Sequence, residues 1–124
     1  MKTPTVLLII ENPFDLILYA TALRDRGYET RMCASPGEGI NILETESVSL
    51  VIVGQDTPTF EGRQVLEYSL RLHPEVPVVV VARILDIHSY LEAMELGASD
   101  YLEWPDPEDL AWTIDTQLLR AAVA

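Results

Sequence analysis

The stretch that decides the fold is residues 50–62, LVIVGQDTPTFEG. The apolar run 50–53 predicts a buried strand that ends at Gly54, and a polar loop containing Pro58 follows. Arg63 then begins a helical pattern. In an open parallel α/β sheet, ligands and chemistry lie just past the carboxyl ends of such strands. Gly54 therefore stands where a functional side chain would be expected, and it carries none.

Short apolar runs and helical patterns alternate along the rest of the chain. Strands are predicted over residues 5–10, 28–34, 49–54, 76–81 and 101–104. Helices are predicted over about 13–26, 36–46, 63–72, 86–96 and 107–122, with Asn12-Pro13 as a start signal and Gly27 and Gly97 as stops. The first helix carries apolar residues at helical spacing: Leu16, Ile17, Ala20 and Leu23. Five β-α units with short connections imply a parallel sheet covered by helices on both faces.

Composition limits the classes of function. The chain has 124 residues, of which 48% are hydrophobic, so we expect one domain over residues 1–124. The net charge of −12 repels phosphate backbones, so no nucleic-acid partner is expected. The apolar run before Glu11 is too short for a signal segment or a membrane span. The single cysteine, Cys33, fits a reducing compartment, so a soluble cytoplasmic protein with no membrane association is predicted.

The chain resembles, over essentially its whole length, the receiver domains of bacterial two-component response regulators. Pro58 and Gly62 lie where that family has Pro and Gly after its third strand. Residues 91–102, LEAMELGASDYL, resemble the family's Ala-Gly-Ala-x-x-Tyr run, and Trp104-Pro105 falls where the family has Lys-Pro, usually joined by a cis bond. The resemblance implies a flavodoxin-like five-stranded parallel sheet of order 2-1-3-4-5, with five helices on two faces.

Members of this family transfer a phosphoryl group from a histidine kinase to their own aspartate with the help of Mg²⁺. The family's acceptor aspartate corresponds to Gly54, and its acidic pair to Glu11 and Asn12. The Ser/Thr on strand four corresponds to Ala82, and the lysine on strand five to Trp104. Only Glu11 retains an acid. The sole lysine of the chain, Lys2, precedes the first strand, so no shift of the alignment supplies a lysine to strand five. The resemblance therefore indicates a degenerate phosphorylation site.

We predict a phosphorylation-independent signalling module that acts by protein–protein interaction and is not an enzyme. No cofactor or metal is expected, because Glu11 and Asp56 alone make only a weak Mg²⁺ candidate. One alternative is a sensor that binds a small molecule in the vacated site beside Gly54, Ala82 and Trp104. Another is an enzyme that uses Asp56 as a surrogate acceptor.

Several side chains near this site carry further expectations. Trp104 is expected to fill the space left by Gly54 and Ala82, and Arg83 to point towards the fourth helix. Tyr101 corresponds to an aromatic switch residue of the family, but without a hydroxyl at Ala82 we favour a static packing role.

The predicted interaction surface spans the fourth helix, fifth strand and fifth helix, a face that the family uses for dimers and effectors. Its residues are Ile84, Leu85, Tyr101, Trp104, Trp112 and Leu119. Trp112 and Leu119 lie opposite the stripe of Leu110, Ile114 and Leu118 in the last helix. The expected partner is another protein or a neighbouring domain of a signalling pathway, and a homodimer through the same face is one form of this.

Overall fold

A computed structural model of the chain describes residues 3–56 and 62–123. Strands and helices alternate strictly. The strands are β1 Thr5–Ile9, β2 Glu29–Cys33, β3 Leu50–Gln55, β4 Val78–Ala82 and β5 Asp100–Glu103. The helices are α1 Pro13–Asp25, α2 Pro36–Thr45, α3 Arg63–Leu72, α4 Ile87–Leu96 and α5 Pro107–Val123. None of the helices in the described part of the chain is both long and apolar enough to cross a membrane.

The strands form one parallel sheet of order β2-β1-β3-β4-β5, which confirms the predicted topology. The interior strand β4 is buried along its whole length, as its run of four valines predicts for a strand covered on both faces. The predicted end of β3 at Gly54 is wrong by one residue, because Gln55 continues the ladder opposite Ala82. Pro58, on which part of the family resemblance rests, lies outside the described residues.

The helices divide between the two faces of the sheet. One buried cluster joins the sheet to α1 and α5, through side chains that include Tyr19, Leu23, Leu110 and Ile114. The other joins it to α2, α3 and α4, through side chains that include Leu43, Leu66 and Ala93. Because side chains alternate along a strand, each position of β3 and β4 is assigned to one of these two faces.

Local signals set the helix ends where the sequence predicts them. The side chain of Asn12 accepts a hydrogen bond of 3.1 Å from the backbone N–H of Asp15, and Ser35 caps α2 in the same way. Gly97 ends α4 with a φ of 111°, a left-handed conformation in which a Cβ would be strained. Ile17 is an exception to the predicted stripe of α1: it lies exposed, because Tyr19 is buried with Ala20 and Leu23 instead.

Candidate functional site at the carboxyl edge of the sheet

The strands bring the predicted site positions to one edge. Glu11 and Asn12 follow β1, Gly54 and Asp56 lie at the end of β3, and Ala82 ends β4. The site at Gly54 is shaped by an apolar neighbour. A Cβ built on Gly54 would meet the Cα and Cγ1 atoms of Ile10 at 3.4 Å. Ile10 is almost fully buried, so its side chain fills the space beside the glycine.

Trp104 does not fill that space, and the prediction that it does is wrong. Its side chain is 59% exposed, and the guanidinium carbon of Arg83 lies 4.6 Å from the centre of its ring. The chain turns here through a left-handed residue, with φ of 40° at Trp104, and the bond to Pro105 is trans, not cis as the resemblance implied. The physical reason is that Ile10 already occupies the core position, while Arg83 offers the indole a cation–π contact.

Arg83 is also directed differently from the prediction that it points towards α4. Its Nε donates a hydrogen bond of 2.7 Å to Oδ2 of Asp15 on α1. Ala82 packs into the cluster under α2, α3 and α4, so alternation sends the next side chain to the α1 and α5 face. Arg83 thereby places a fixed positive charge at the carboxyl edge of the sheet.

Three carboxylates share the field of that charge: Glu11, Asp15 and Asp56. Burial raises the pKa of the Asp56 carboxyl; Arg83 opposes the shift, and the charges of Asp15 and Glu11 add to it. Within the ranges that the structure describes, no group of three or more His, Cys, Asp or Glu side chains is arranged to hold a metal ion. The site therefore contains the Arg83–Asp15 ion pair, the ring of Trp104 stacked on Arg83, and the Asp56 carboxyl with its raised pKa.

A buried hydrogen bond on the other face of the sheet was not anticipated from the sequence. The hydroxyl of Tyr101 donates to Oε1 of Gln55 over 2.5 Å, and both side chains are buried. The ring of Tyr90 on α4 meets Tyr101 edge-on, with centroids 5.2 Å apart. Tyr101 is 9% exposed, so its placement on the interaction surface is wrong, because the Gln55 bond and the Tyr90 contact hold it inside.

The other residues of the predicted interaction surface are exposed, namely Ile84, Leu85, Trp104, Trp112 and Leu119. On α5, Trp112 and Leu119 stand opposite Leu110 and Ile114, which are fully buried.

The predicted interaction surface includes α4, but the exposed apolar residues of that helix were not predicted. Its exposed side chains are Ile87, Tyr90, Leu91 and Met94, whereas its buried ones are the small residues Ser89 and Ala93. The signal was present as i, i+3, i+4 and i+7 spacing, which usually marks the face of a helix that packs on the core.

A parallel sheet of this order, with helices on both faces, is a flavodoxin-like doubly wound α/β fold. The model of the response regulator receiver domain family matches residues 6–115. The chain belongs to this family. Receiver domains interact with other domains or proteins in signalling.

Relatives and solved structures agree with this assignment. The chain is 27% identical over 121 residues to a probable transcriptional regulator ycf27 of Porphyridium aerugineum, covering 97% of this chain and 50% of the relative. It is 28% identical over 124 residues to the transcriptional regulatory protein GlrR of Escherichia coli K12, covering 99% of this chain and 28% of that protein. The chain thus spans half or less of the length of these relatives. A response regulator receiver domain protein (CheY-like) from Methanospirillum hungatei superimposes with a TM-score of 0.90 at 24% identity, covering 98% of each chain.

Proposed function

We propose that this chain is a receiver domain that signals through protein–protein contact without accepting a phosphoryl group. The family resemblance assigns the acceptor position to Gly54, which has no carboxylate. The positions assigned to the hydroxyl and lysine side chains are Ala82 and Trp104, neither of which supplies that chemistry. Arg83 forms an ion pair with Asp15 and stacks on Trp104, and these contacts support a structural role for the site.

The observation that carries the contact function is the outward face of α4. Large apolar side chains, Ile87, Leu91 and Met94, face solvent, while the helix packs on the sheet through Ser89 and Ala93. Burying each large side chain contributes roughly 1.5–3 kcal/mol, so covering this face would contribute favourable free energy to partner binding. Contiguous exposed apolar surface of this kind is typical of protein interfaces.

The partner surface is proposed to run from α4 and the preceding loop, with Ile84 and Leu85, to Trp112 and Leu119 on α5. Tryptophan is among the residues most enriched at interface centres. Because the net charge is −12, the partner's docking face is expected to be apolar with a basic rim. The partner is a second protein or a neighbouring domain, and residues 1–124 act as one domain in this contact.

The ligand-sensing and Asp56-enzyme alternatives are not part of this proposal. Among the described residues, Ile10 packs beside Gly54 and Trp104 lies over Arg83, so the indole is not the apolar wall at the glycine that the ligand-sensing alternative assumed. The Asp56 alternative is set aside because the positive charge nearest to it, Arg83, is already paired with Asp15.

The test is affinity purification from the native host with quantitative mass spectrometry. The baits are the wild type, Leu91→Ser, Trp112→Glu and, as a matched control at the carboxyl edge, Asp56→Asn. Partners are expected to be retained by the wild type and the control and lost with the two surface variants. Retention of every partner by Leu91→Ser and Trp112→Glu would contradict the proposal.

A further inference from the structure

A cavity lies at the amino edge of the sheet, at the opposite end of the strands from Gly54. Its walls come from the segments that precede β4 and β5 and from the last turns of α3 and α5. It has a volume of about 230 Å³, which is room for a small molecule of about ten non-hydrogen atoms. The proposed function does not use this cavity.

Gln117 of α5 is the most informative side chain in the cavity wall. It is only 8% exposed, yet its amide makes no hydrogen bond to residues 3–56 or 62–123. The half-buried hydroxyl of Ser99, also in the wall, is likewise without a partner in those two ranges. A buried amide costs free energy unless it is hydrogen-bonded, so an unpaired one in a cavity wall indicates a ligand that completes it.

Two side chains of opposite charge belong to the same wall. Arg120 of α5 and Glu75, which precedes β4, both line the cavity. Neither forms an ion pair with any described residue, and they do not pair with each other, whereas Arg31 and Arg63 each pair with a glutamate. Both charges are therefore available to a molecule in the cavity.

This set of groups selects the ligand by its charge. Arg120 suits a carboxylate, Glu75 suits an ammonium group, and the amide of Gln117 can donate to the first or accept from the second. The net charge of −12 opposes the approach of a simple anion, and Arg120 opposes a simple cation, but a zwitterion meets neither barrier. Leu70 and Val76 add an apolar wall for the remainder of the molecule.

We propose that this cavity binds a free α-amino acid with an apolar side chain. The carboxylate of the amino acid faces Arg120, its ammonium group faces Glu75, and the amide of Gln117 gains a hydrogen-bond partner. The bound molecule joins α5 to the segments before β4 and β5. The site is separate from the degenerate phosphorylation site, so it stands whether or not Gly54 ends phosphotransfer.

The probe is L-leucine, titrated into the isotopically labelled chain and followed by NMR. Shifts are expected at the amides of residues 97–100 and 117–121 and not at those of Glu11 or Gly54. Isocaproate, which lacks the ammonium group, and isoamylamine, which lacks the carboxylate, should each bind about tenfold or more weakly than leucine. Absence of shifts at millimolar leucine, or equal affinity for leucine and isocaproate, would overturn the proposal.

Two variants test the residues that the proposal assigns. Gln117→Met keeps the volume of the side chain and should weaken leucine binding about tenfold or more, while the fold is at least as stable because an unpaired amide is removed. Arg120→Gln, at an exposed position, should weaken binding to a similar extent without lowering the melting temperature.

Arg63→Gln is the matched control, because it removes the same charge at the far end of α3. Its ion pairs are exposed, so this variant should melt and bind leucine like the wild type. Wild-type affinity in Gln117→Met or Arg120→Gln would overturn the proposal. So would a Gln117→Met variant that loses stability and still binds leucine, because Gln117 would then be an ordinary packing residue.

Discussion

The hydroxyl of Tyr101 donates a 2.5 Å hydrogen bond to Oε1 of Gln55, linking the edge strand β5 to the central strand β3 below α4. Burial raises the pKa of this phenol, so it stays protonated and remains a donor at neutral pH. Tyr90 packs edge-on against the same ring and also belongs to the outward apolar face of α4. The buried pair thus supports the surface that we propose for partner binding.

Removing the Tyr101 hydroxyl should weaken the fold without opening a cavity. We expect Tyr101→Phe to lower the free energy of unfolding by about 0.5–1.5 kcal/mol, the usual net contribution of one hydrogen bond. Urea denaturation measures this change. Tyr90→Phe is the matched control, and because that side chain is partly exposed its effect should stay within about 0.5 kcal/mol. An equal loss in both variants would argue against a special role for the Gln55 bond.

The second prediction concerns Arg83 and the two groups that it joins. Arg83→Ala should destabilise the domain by about 1.5–3 kcal/mol, because Asp15 is only 15% exposed and loses a charged hydrogen-bond partner. Trp104→Ala removes only the cation–π contact and should cost about 0.5–1 kcal/mol. Chemical denaturation of both variants provides the comparison. If Arg83→Ala were as stable as the wild type, the ion pair with Asp15 would contribute nothing to the stability of the domain.

The raised pKa of Asp56 predicts a definite pH dependence. Because the folded state holds this proton more tightly than the unfolded state, the contribution of Asp56 to stability is largest at low pH. It declines as pH rises from the unfolded value near 3.8 through the raised folded value. Asp56→Asn should therefore melt at a higher temperature than the wild type at pH 7, and the difference should shrink on acidification. A destabilised Asp56→Asn at pH 7 would mean that the carboxylate is held in its charged form by Arg83.

Gly54 allows a graded test of what the site can accommodate. A Cβ there sits in ordinary van der Waals contact with Ile10, so Gly54→Ala should stabilise the domain by about 0.4–1 kcal/mol through the unfolded state. Gly97→Ala, at a φ of 111°, should instead destabilise it by roughly 1–2 kcal/mol.

Gly54→Asp adds a carboxylate among Glu11, Asp15 and Asp56 and should be less stable than the isosteric Gly54→Asn. Equal stability of the Asp and Asn variants would indicate that the site retains a compensating positive charge.

Local sequence signals were enough to predict the strands and helices, whereas the strand order was predicted from the family resemblance. The valine run of β4, the Asn12 cap and the stop at Gly97 act through nearest neighbours, so their patterns could be interpreted without tertiary information. The directions of Arg83 and Trp104 were predicted wrongly, because both are set by tertiary packing. The direction of Arg83 depends on which face of the sheet Ala82 occupies, and that of Trp104 on Ile10 already filling the space beside Gly54.

The exposed faces were harder to predict for another reason. Ile87, Leu91 and Met94 have the same helical spacing whether they pack on a core or await a partner, and only their burial in the folded chain distinguishes the two. The exposure of Ile17 was not predicted, because Ile17 was grouped with the buried apolar stripe of its own helix.

The central claim, signalling without phosphorylation, is tested most directly by intact mass measurement after incubation with acetyl phosphate and Mg²⁺. The account predicts no mass increase for the wild type, because Gly54 offers no carboxylate, and none for Gly54→Asp, because no lysine stands at Trp104. A phosphoryl adduct on the wild type that disappears in Asp56→Asn would contradict the account and identify Asp56 as a surrogate acceptor.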